Sequence, residues 1–474
     1  MRMLIAGQWI DKKEKIEVLN PYDGSVVDTV PSGCSRDLDE AIASAQSGLK
    51  EMSSLSAFDR YRILRRAAEI VEERADQIAT TMAREVGKTI REARGEVSRA
   101  VETITLSSEE AKRIYGETIP FDAAPGGQTK MGFAIRVPVG VVAAISPFNF
   151  PLNLVCHKVG PALAAANSVV LKPASATPLS ALLLAESLLE AGLPPNCLNV
   201  ITGSGGTVGM SLVRDGRVRK VSFTGSLEVG REIAAEAGLK KLTMELGSNS
   251  CCIVMNDANL EKAAERIRVG GYALAGQVCV SVQRVLVQED VFESFLAMLK
   301  RHVQSIRTGN PLDDSTDMGP MIDEQSAARA EEWVSEAQSK GAGLVAGGER
   351  TGTMLQPTIL KNVPRGCRVW FKEAFAPVVA VNPFKTLEQA IEVANDSEYG
   401  LQAGIFTKDI GSALEAARRI EVGGVMINEI PTYRADLMPY GGVKGSGLGR
   451  EGPRYAVKEM TELRVVGIDL RNSS

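Results

Sequence analysis

From Ala134 onward the chain alternates between two textures, short apolar runs of strand length and Ala/Leu-rich stretches of helical length. The runs are AIRVPVGVVAAIS (134–146), SVVLKP (168–173), CLNVITG (197–203) and KVSFTG (220–225). Between them lie residues 162–166, 179–191 and 229–237. Strand, helix, strand is the pattern of a parallel sheet with helices on its faces, because parallel neighbours need a long crossover connection. The alternation recurs from Ser250 to about Val425, with SCCIVMN, VQRVLVQ, PVVAVNPF and GGVMIN as strands. Two α/β units and a short tail, LRVVGIDL (463–470), are therefore expected. Ahead of them, residues 37–52, 57–86 and about 89–114 carry apolar side chains at three- and four-residue spacing and read as helices. GETIPFDAAPGGQTKMG (116–132), rich in Gly and Pro, reads as a turn or extended hairpin.

Composition narrows the function. The net charge of −4, from 54 Lys and Arg against 58 Asp and Glu, gives no nucleic-acid or anionic-membrane footprint. No apolar run approaches the roughly 18 residues of a membrane span, and the opening MRMLIAGQWIDKKEK has no signal-peptide core. A reducing cytoplasm is expected, with the seven cysteines as free thiols. With only two histidines and no CxxC pair, no structural metal is expected and a Ser-His-Asp triad is disfavoured.

Three residues could carry chemistry. Cys279, in AGQVCVSVQR, follows a helical stretch and precedes a strand, a loop setting that can expose a nucleophilic sulfur. Glu245, in LTMELGSNS, sits between Met244 and Leu246, where an apolar setting would raise its pKa toward that of a useful general base. Asn149, in SPFNFP, could donate to a developing oxyanion. Each also has a plain structural reading: a small buried hydrophobe, a solvated turn carboxylate, a turn-capping amide. TGSGGTVG (202–209) follows a strand, but its glycine spacing is wrong for a dinucleotide fingerprint, so Gly205 and Gly206 read alone as turn glycines.

Together, in collinear order, these segments resemble the aldehyde dehydrogenase superfamily. The motifs are PFNFP (147–151), LKPAS (171–175), FTGS (223–226), MELGS (244–248), GQVC (276–279), EAFAP (373–377) and PYGGVKGSGLGRE (439–451). The likeness is greatest to the phosphonoacetaldehyde, non-phosphorylating glyceraldehyde-3-phosphate and lactaldehyde dehydrogenase group. It implies an α/β fold of two doubly wound parallel-sheet domains plus a small β oligomerisation element. The implied division is an NAD(P)-binding domain (1–115 and 139–247), a catalytic domain (248–445) and a bridging element (116–138 and 446–474). It also implies a homodimer or homotetramer, in keeping with the strand edges that the hairpin and tail would expose.

The resemblance assigns roles. Cys279 is the implied nucleophile, Asn149 the side-chain half of the oxyanion hole, and Glu245 the residue that activates water against the thioester. Relatives that release a coenzyme A thioester usually lack that glutamate, so the free acid is the implied product. Ser146, Pro147, Phe148, Lys172, Ser175, Gly205, Phe223, Gly225, Ser226, Leu246, Glu373 and Phe375 are the implied contacts to NAD or NADP. Two departures stand out. Ser175 replaces a glutamate of many NAD-preferring relatives, which leaves NADP tolerable, and Tyr440 replaces the usual phenylalanine. Arg99, His157, Arg284 and Arg434 fall at substrate-tunnel positions, which implies an aldehyde with an anionic tail: phosphonate, phosphate or sulfonate. Without an anion such cations would repel one another, so water or a buffer anion is expected among them. A broad-range or succinate-semialdehyde type of dehydrogenase is the alternative, and a cysteine esterase or thioesterase the alternative from another class.

Overall fold

The computed structural model describes residues 1–472. Its first sheet has eight strands in the order Gln8–Ile10, Met3–Ile5, Leu198–Val200, Ser168–Lys172, Val141–Ile145, Val218–Thr224, Lys241–Glu245, Gly447–Leu448. The five central strands are parallel and the flanking pairings are antiparallel. Every residue of Val141–Ile145 and Ser168–Lys172 is buried. Helices cover both faces of such a strand, which is why it reads as a continuous apolar run rather than an alternating one. The helix Asn153–Ala164 is likewise buried at every position.

The second sheet has seven strands in the order Gly343–Ala346, Thr358–Lys361, Val378–Phe384, Arg284–Gln288, Cys251–Val254, Gln402–Phe406, Gly424–Ile427, all parallel except the first. A third sheet joins Thr461–Asp469, Lys130–Pro138 and Glu117–Ile119, its long pair in register from Thr461↔Pro138 to Asp469↔Lys130. Met131, Ile135, Leu463, Val465 and Ile468 stand exposed on these strands.

Four differences from the sequence reading have physical causes. The N-terminal segment holds four strands that the helical reading passes over: Met3–Ile5, Gln8–Ile10, Lys15–Leu19 and Val26–Pro31. They are short, and their partners decide them: Leu4 pairs with Val200, a contact no local pattern encodes. The helix expected over 57–86 breaks at Arg74 (φ −101, ψ 15) into Ala57–Glu73 and Ala75–Val86. The run 134–146 is two strands in two sheets, separated at Gly140, whose φ of +126 favours glycine. Part of the expected bridging segment, Gly447–Leu448, instead closes the edge of the first sheet, with Gly447 opposite Glu245.

No helix among the described residues is long and apolar enough to cross a membrane, and no metal-holding cluster of three or more His, Cys, Asp or Glu occurs among them. All seven cysteines are free.

Candidate active site

Cys279 sits on a loop whose backbone is forced. Leu274 (φ 49), Ala275 (φ 51) and Gly276 (φ 69) are all left-handed. A Cβ on Gly276 would lie 2.0 Å from the Ala376 carbonyl oxygen. The turn is tied by Gln277, whose Nε2 donates to the Leu274 carbonyl (3.0 Å) and whose Oε1 accepts from Ile322 N–H (2.9 Å). Its main-chain carbonyl meets Asn149, which donates one of its two Nδ2 protons at 2.8 Å. Asn149 lies in the turn between Val141–Ile145 and the buried helix Asn153–Ala164, so sheet and helix hold its amide two residues from the cysteine.

The Cys279 sulfur is half-buried and 2.9 Å from the Tyr440 hydroxyl. Burial pushes the thiol up to about 11, while the Tyr440 hydrogen bond and the Arg434 charge pull the other way. Glu245 ends the strand Lys241–Glu245, fully enclosed, and neither of its side-chain oxygens has a hydrogen-bond partner. Burial, then repulsion from Glu451, raises its pKa well above the ordinary carboxylate value. A Cβ on Gly441 would lie 2.8 Å from Glu245 Oε1, so only glycine leaves room there.

Behind these groups lies a buried charge network. Lys158 donates to Glu451 Oε1 (3.0 Å) and Thr224 Oγ1 (2.6 Å), and Arg434 donates to Glu451 Oε2 (3.1 Å). Against the cost of burial, Lys158 and Arg434 hold Glu451 down to about 2. Arg434 also stacks 3.7 Å from the centre of the Tyr440 ring, and its Nε is buried without a partner. Asp436 receives Arg99 through two bonds (3.0 and 2.8 Å), Asn153 Nδ2 (3.0 Å) and His157 Nε2 (2.9 Å). Despite its burial, the His157 and Arg99 bonds keep Asp436 ionised. Burial, with Arg434 nearby, lowers the His157 pKa and keeps the ring neutral.

This corrects the expected set of four substrate cations. Arg284 lies in the second sheet, buried, with Nε on the Asn249 carbonyl (3.0 Å) and its two amino groups on the Val393 (3.0 Å) and Ala394 (3.1 Å) carbonyls. It binds three main-chain oxygens and has no part in the Asp436–Glu451 network; Arg99, His157 and Arg434 join that network, and like Arg284 they lie outside the wall of the cavity beside Cys279. Nor are the remaining cations bare: Asp436 and Glu451 balance them from within. Arg284→Met should therefore orphan three buried carbonyls and cost about 3 kcal/mol or more by thermal unfolding. KM for an anionic aldehyde should stay unchanged in whatever protein folds, and a KM effect without a stability loss would contradict this placement.

A cavity of about 780 Å³ opens on the other side of Cys279. Its wall includes Ser146, Pro147, Phe148, Asn149, Phe223, Gly225, Ser226, Leu246, Glu373 and Phe375. Three expected cofactor contacts lie outside that wall. Lys172 donates to the Pro173 carbonyl (3.0 Å), and burial draws it down to about 8. Ser175 donates to the Gly203 carbonyl (2.8 Å). Gly205 is exposed in a helical turn, and a Cβ there would meet nothing within 4 Å.

The cavity fits a dinucleotide in kind. Gly225, Ser226 and Val229 put the N-terminus of the helix Leu227–Glu236 in the wall, a setting that favours phosphate. Arg329, Arg368 and Lys372 also line it, Arg368 paired with Glu332 and Glu336 and Lys372 with Glu398, and Glu228 stands in the same wall. Glu373 accepts from Ser248 N–H at 2.9 Å, and burial raises it to about 7. Phe375 meets Phe148 edge-on with ring centres 5.8 Å apart, and both rings line the cavity together with Cys279.

The model of the aldehyde dehydrogenase family matches residues 9–466. The chain belongs to that family. It is an NAD(P)-dependent oxidoreductase acting on aldehydes. A 3-sulfolactaldehyde dehydrogenase of Priestia aryabhattai is 49% identical over 468 residues, covering 99% of this chain and 98% of the relative. Aldehyde dehydrogenase 21 from Physcomitrella patens, solved with its reaction product succinate, superposes with a TM-score of 0.97 at 38% identity, covering 100% of this chain and 99% of that one. The glyceraldehyde-3-phosphate dehydrogenase of Methanocaldococcus jannaschii, solved with NADP, gives a TM-score of 0.93 at 39% identity, covering 97% and 100%.

Lys158, Asp436, Glu451 and Gln277 were not singled out from the sequence. Asp436 lies two residues from Arg434 in TYRADLMPYGG, and Glu451 closes the last motif. Charged residues beside an expected tunnel cation were the available signal.

Proposed function

We propose that this aldehyde dehydrogenase oxidises a short aldehyde carrying a singly charged anionic tail, a sulfonate or a carboxylate, to the free acid. The observation that carries the reading is Arg434. It is a buried guanidinium with an unpartnered Nε, stacked on the ring whose hydroxyl touches the Cys279 sulfur. The charge count favours one negative charge over two. Arg99, Lys158 and Arg434 pair with Asp436 and Glu451, three cations against two carboxylates in that network. The relatives named for 3-sulfolactaldehyde and crystallised with succinate support the same reading.

In this reading the Cys279 thiolate adds to the aldehyde carbon, and the second Nδ2 proton of Asn149 receives the resulting oxyanion. NAD or NADP, which Ser226 at its helix N-terminus, Phe148 and Phe375 would hold, would supply the hydride acceptor that lets Cys279 carry the acyl group. Glu245 then removes a proton from water, the water oxygen bonds the acyl carbon, and the C–S bond breaks to return the thiolate. Phe148, Phe375 and Leu246 keep bulk water from the sulfur on the cavity side. A homodimer or homotetramer, built on the exposed apolar strands of the third sheet, completes the proposal.

Steady-state rates with sulfoacetaldehyde, succinate semialdehyde, phosphonoacetaldehyde and propanal test it, with each nucleotide in turn. The singly charged tails should give the highest kcat/KM, and propanal equal to them would refute the anionic tail. Arg434→Met should raise KM for the charged aldehydes about 10–100-fold, the loss of a bond to a charged group, and leave KM for propanal nearly unchanged, while kcat falls for both as the thiolate loses a nearby cation. Equal KM effects on charged and neutral aldehydes would mean that Arg434 does not bind the tail.

A further inference from the structure

We propose that the Tyr440 hydroxyl donates a hydrogen bond to the Cys279 thiolate, which makes Tyr440 a further catalytic residue of this reaction. The inference rests on Cys279 being the nucleophile, and on geometry around the ring that goes beyond it.

Tyr440 is 2% exposed, and its hydroxyl has the Cys279 sulfur, at 2.9 Å, as its hydrogen-bond partner. A buried phenol needs such a partner, since a hydroxyl without one loses the water it leaves behind. Three constraints fix the ring. Tyr440 N–H donates to the Glu451 carbonyl (3.2 Å), Glu451 N–H donates back to the Tyr440 carbonyl (2.7 Å), and Arg434 lies against the ring face at 3.7 Å. The salt-bridged Glu451 thereby holds the backbone of Tyr440, and Arg434 holds its face. The hydroxyl is aimed rather than free to rotate away.

The groups facing the sulfur differ in sign. Glu245 at the end of its strand and Glu373 across the cavity oppose a thiolate, while Arg434 and the Tyr440 hydroxyl favour it. Of the two favourable groups, only the hydroxyl makes a directed contact with the sulfur. In the resting enzyme thiol and phenol carry one proton each, and one of the two lies between sulfur and oxygen. Once the thiol proton leaves for solvent, the phenolic proton points to sulfur, and a bond to an ionised acceptor is roughly twice as strong as a neutral one. A phenylalanine at this position would fill the same volume and leave the sulfur without a donor.

The test is the pH profile of Cys279 alkylation by iodoacetamide in the enzyme without aldehyde, with Cys279→Ala giving the background. Tyr440→Phe should slow alkylation at pH 7.5 about tenfold and move the midpoint up by about one pH unit, with rates converging at high pH. A second protein, with 3-fluorotyrosine placed at position 440, carries a more acidic phenol and should move the midpoint down. Opposite shifts in the two proteins support the donor. Unchanged midpoints in both, or shifts in the same direction, overturn it. Labelling that persists in Cys279→Ala at the wild-type rate would instead count against the nucleophile itself. The tail preference is untouched by either result, because the probe is neutral.

Discussion

Glu245→Gln should produce one equivalent of NAD(P)H per site in a rapid burst and then turn over about 10²–10⁴-fold more slowly than the unaltered enzyme. The substitution is isosteric, and neither carboxylate oxygen of Glu245 has a protein partner to lose. Folding and the first chemical step should therefore survive, while water meets an acyl-enzyme with no base beside it. Stopped-flow absorbance at the nicotinamide band separates the two phases. A burst that vanished together with turnover would place Glu245 in the first step and refute the assignment. The pH dependence has a definite sign. The base acts only when ionised, and burial and Glu451 hold its pKa well above the ordinary carboxylate value. Deacylation should therefore be slow near pH 4.5 and climb through a midpoint shifted toward neutrality.

The second large effect is expected at Asn149. Asn149→Ala removes the side-chain donor for the oxyanion, and loss of one such donor typically costs about 10²–10³-fold in rate. Here the burst itself should slow, with KM for the aldehyde little changed, because the carbonyl oxygen gains its charge only as sulfur adds. The Gln277 carbonyl also loses the Nδ2 proton it accepts at 2.8 Å, so some thermal stability should go with the rate. An unchanged burst rate would assign Asn149 to the turn alone.

What the sequence disclosed followed the range of the forces involved. The buried parallel strands announced themselves because burial on both faces writes a run of Val, Leu and Ala into consecutive positions, as in Val141–Ile145. Cys279, Glu245 and Asn149 were legible because each sits inside a motif whose neighbours serve the same turn. The charge network was not. Asp436 and Arg99 are 337 positions apart in sequence, and Lys158 and Glu451 are 293 apart, so nothing local marks either as a pair. The same distance explains the error at Arg284. Its place five residues after the cysteine suggested the substrate, but the intervening chain enters the second sheet and turns the side chain onto carbonyls at Val393 and Ala394.

The left-handed stretch at Leu274–Ala275–Gly276 has a cost that falls on the whole molecule. Each non-glycine residue held in that conformation stores about 1–2 kcal/mol, and two of the three here are not glycine. That strain is released on unfolding, so the loop that presents the nucleophile lowers the melting temperature of the chain that carries it. Selection for heat resistance alone would favour glycine at Ala275. Selection for turnover keeps a Cβ there, because the added backbone freedom of glycine would blur the position of a sulfur two bonds from its own main chain.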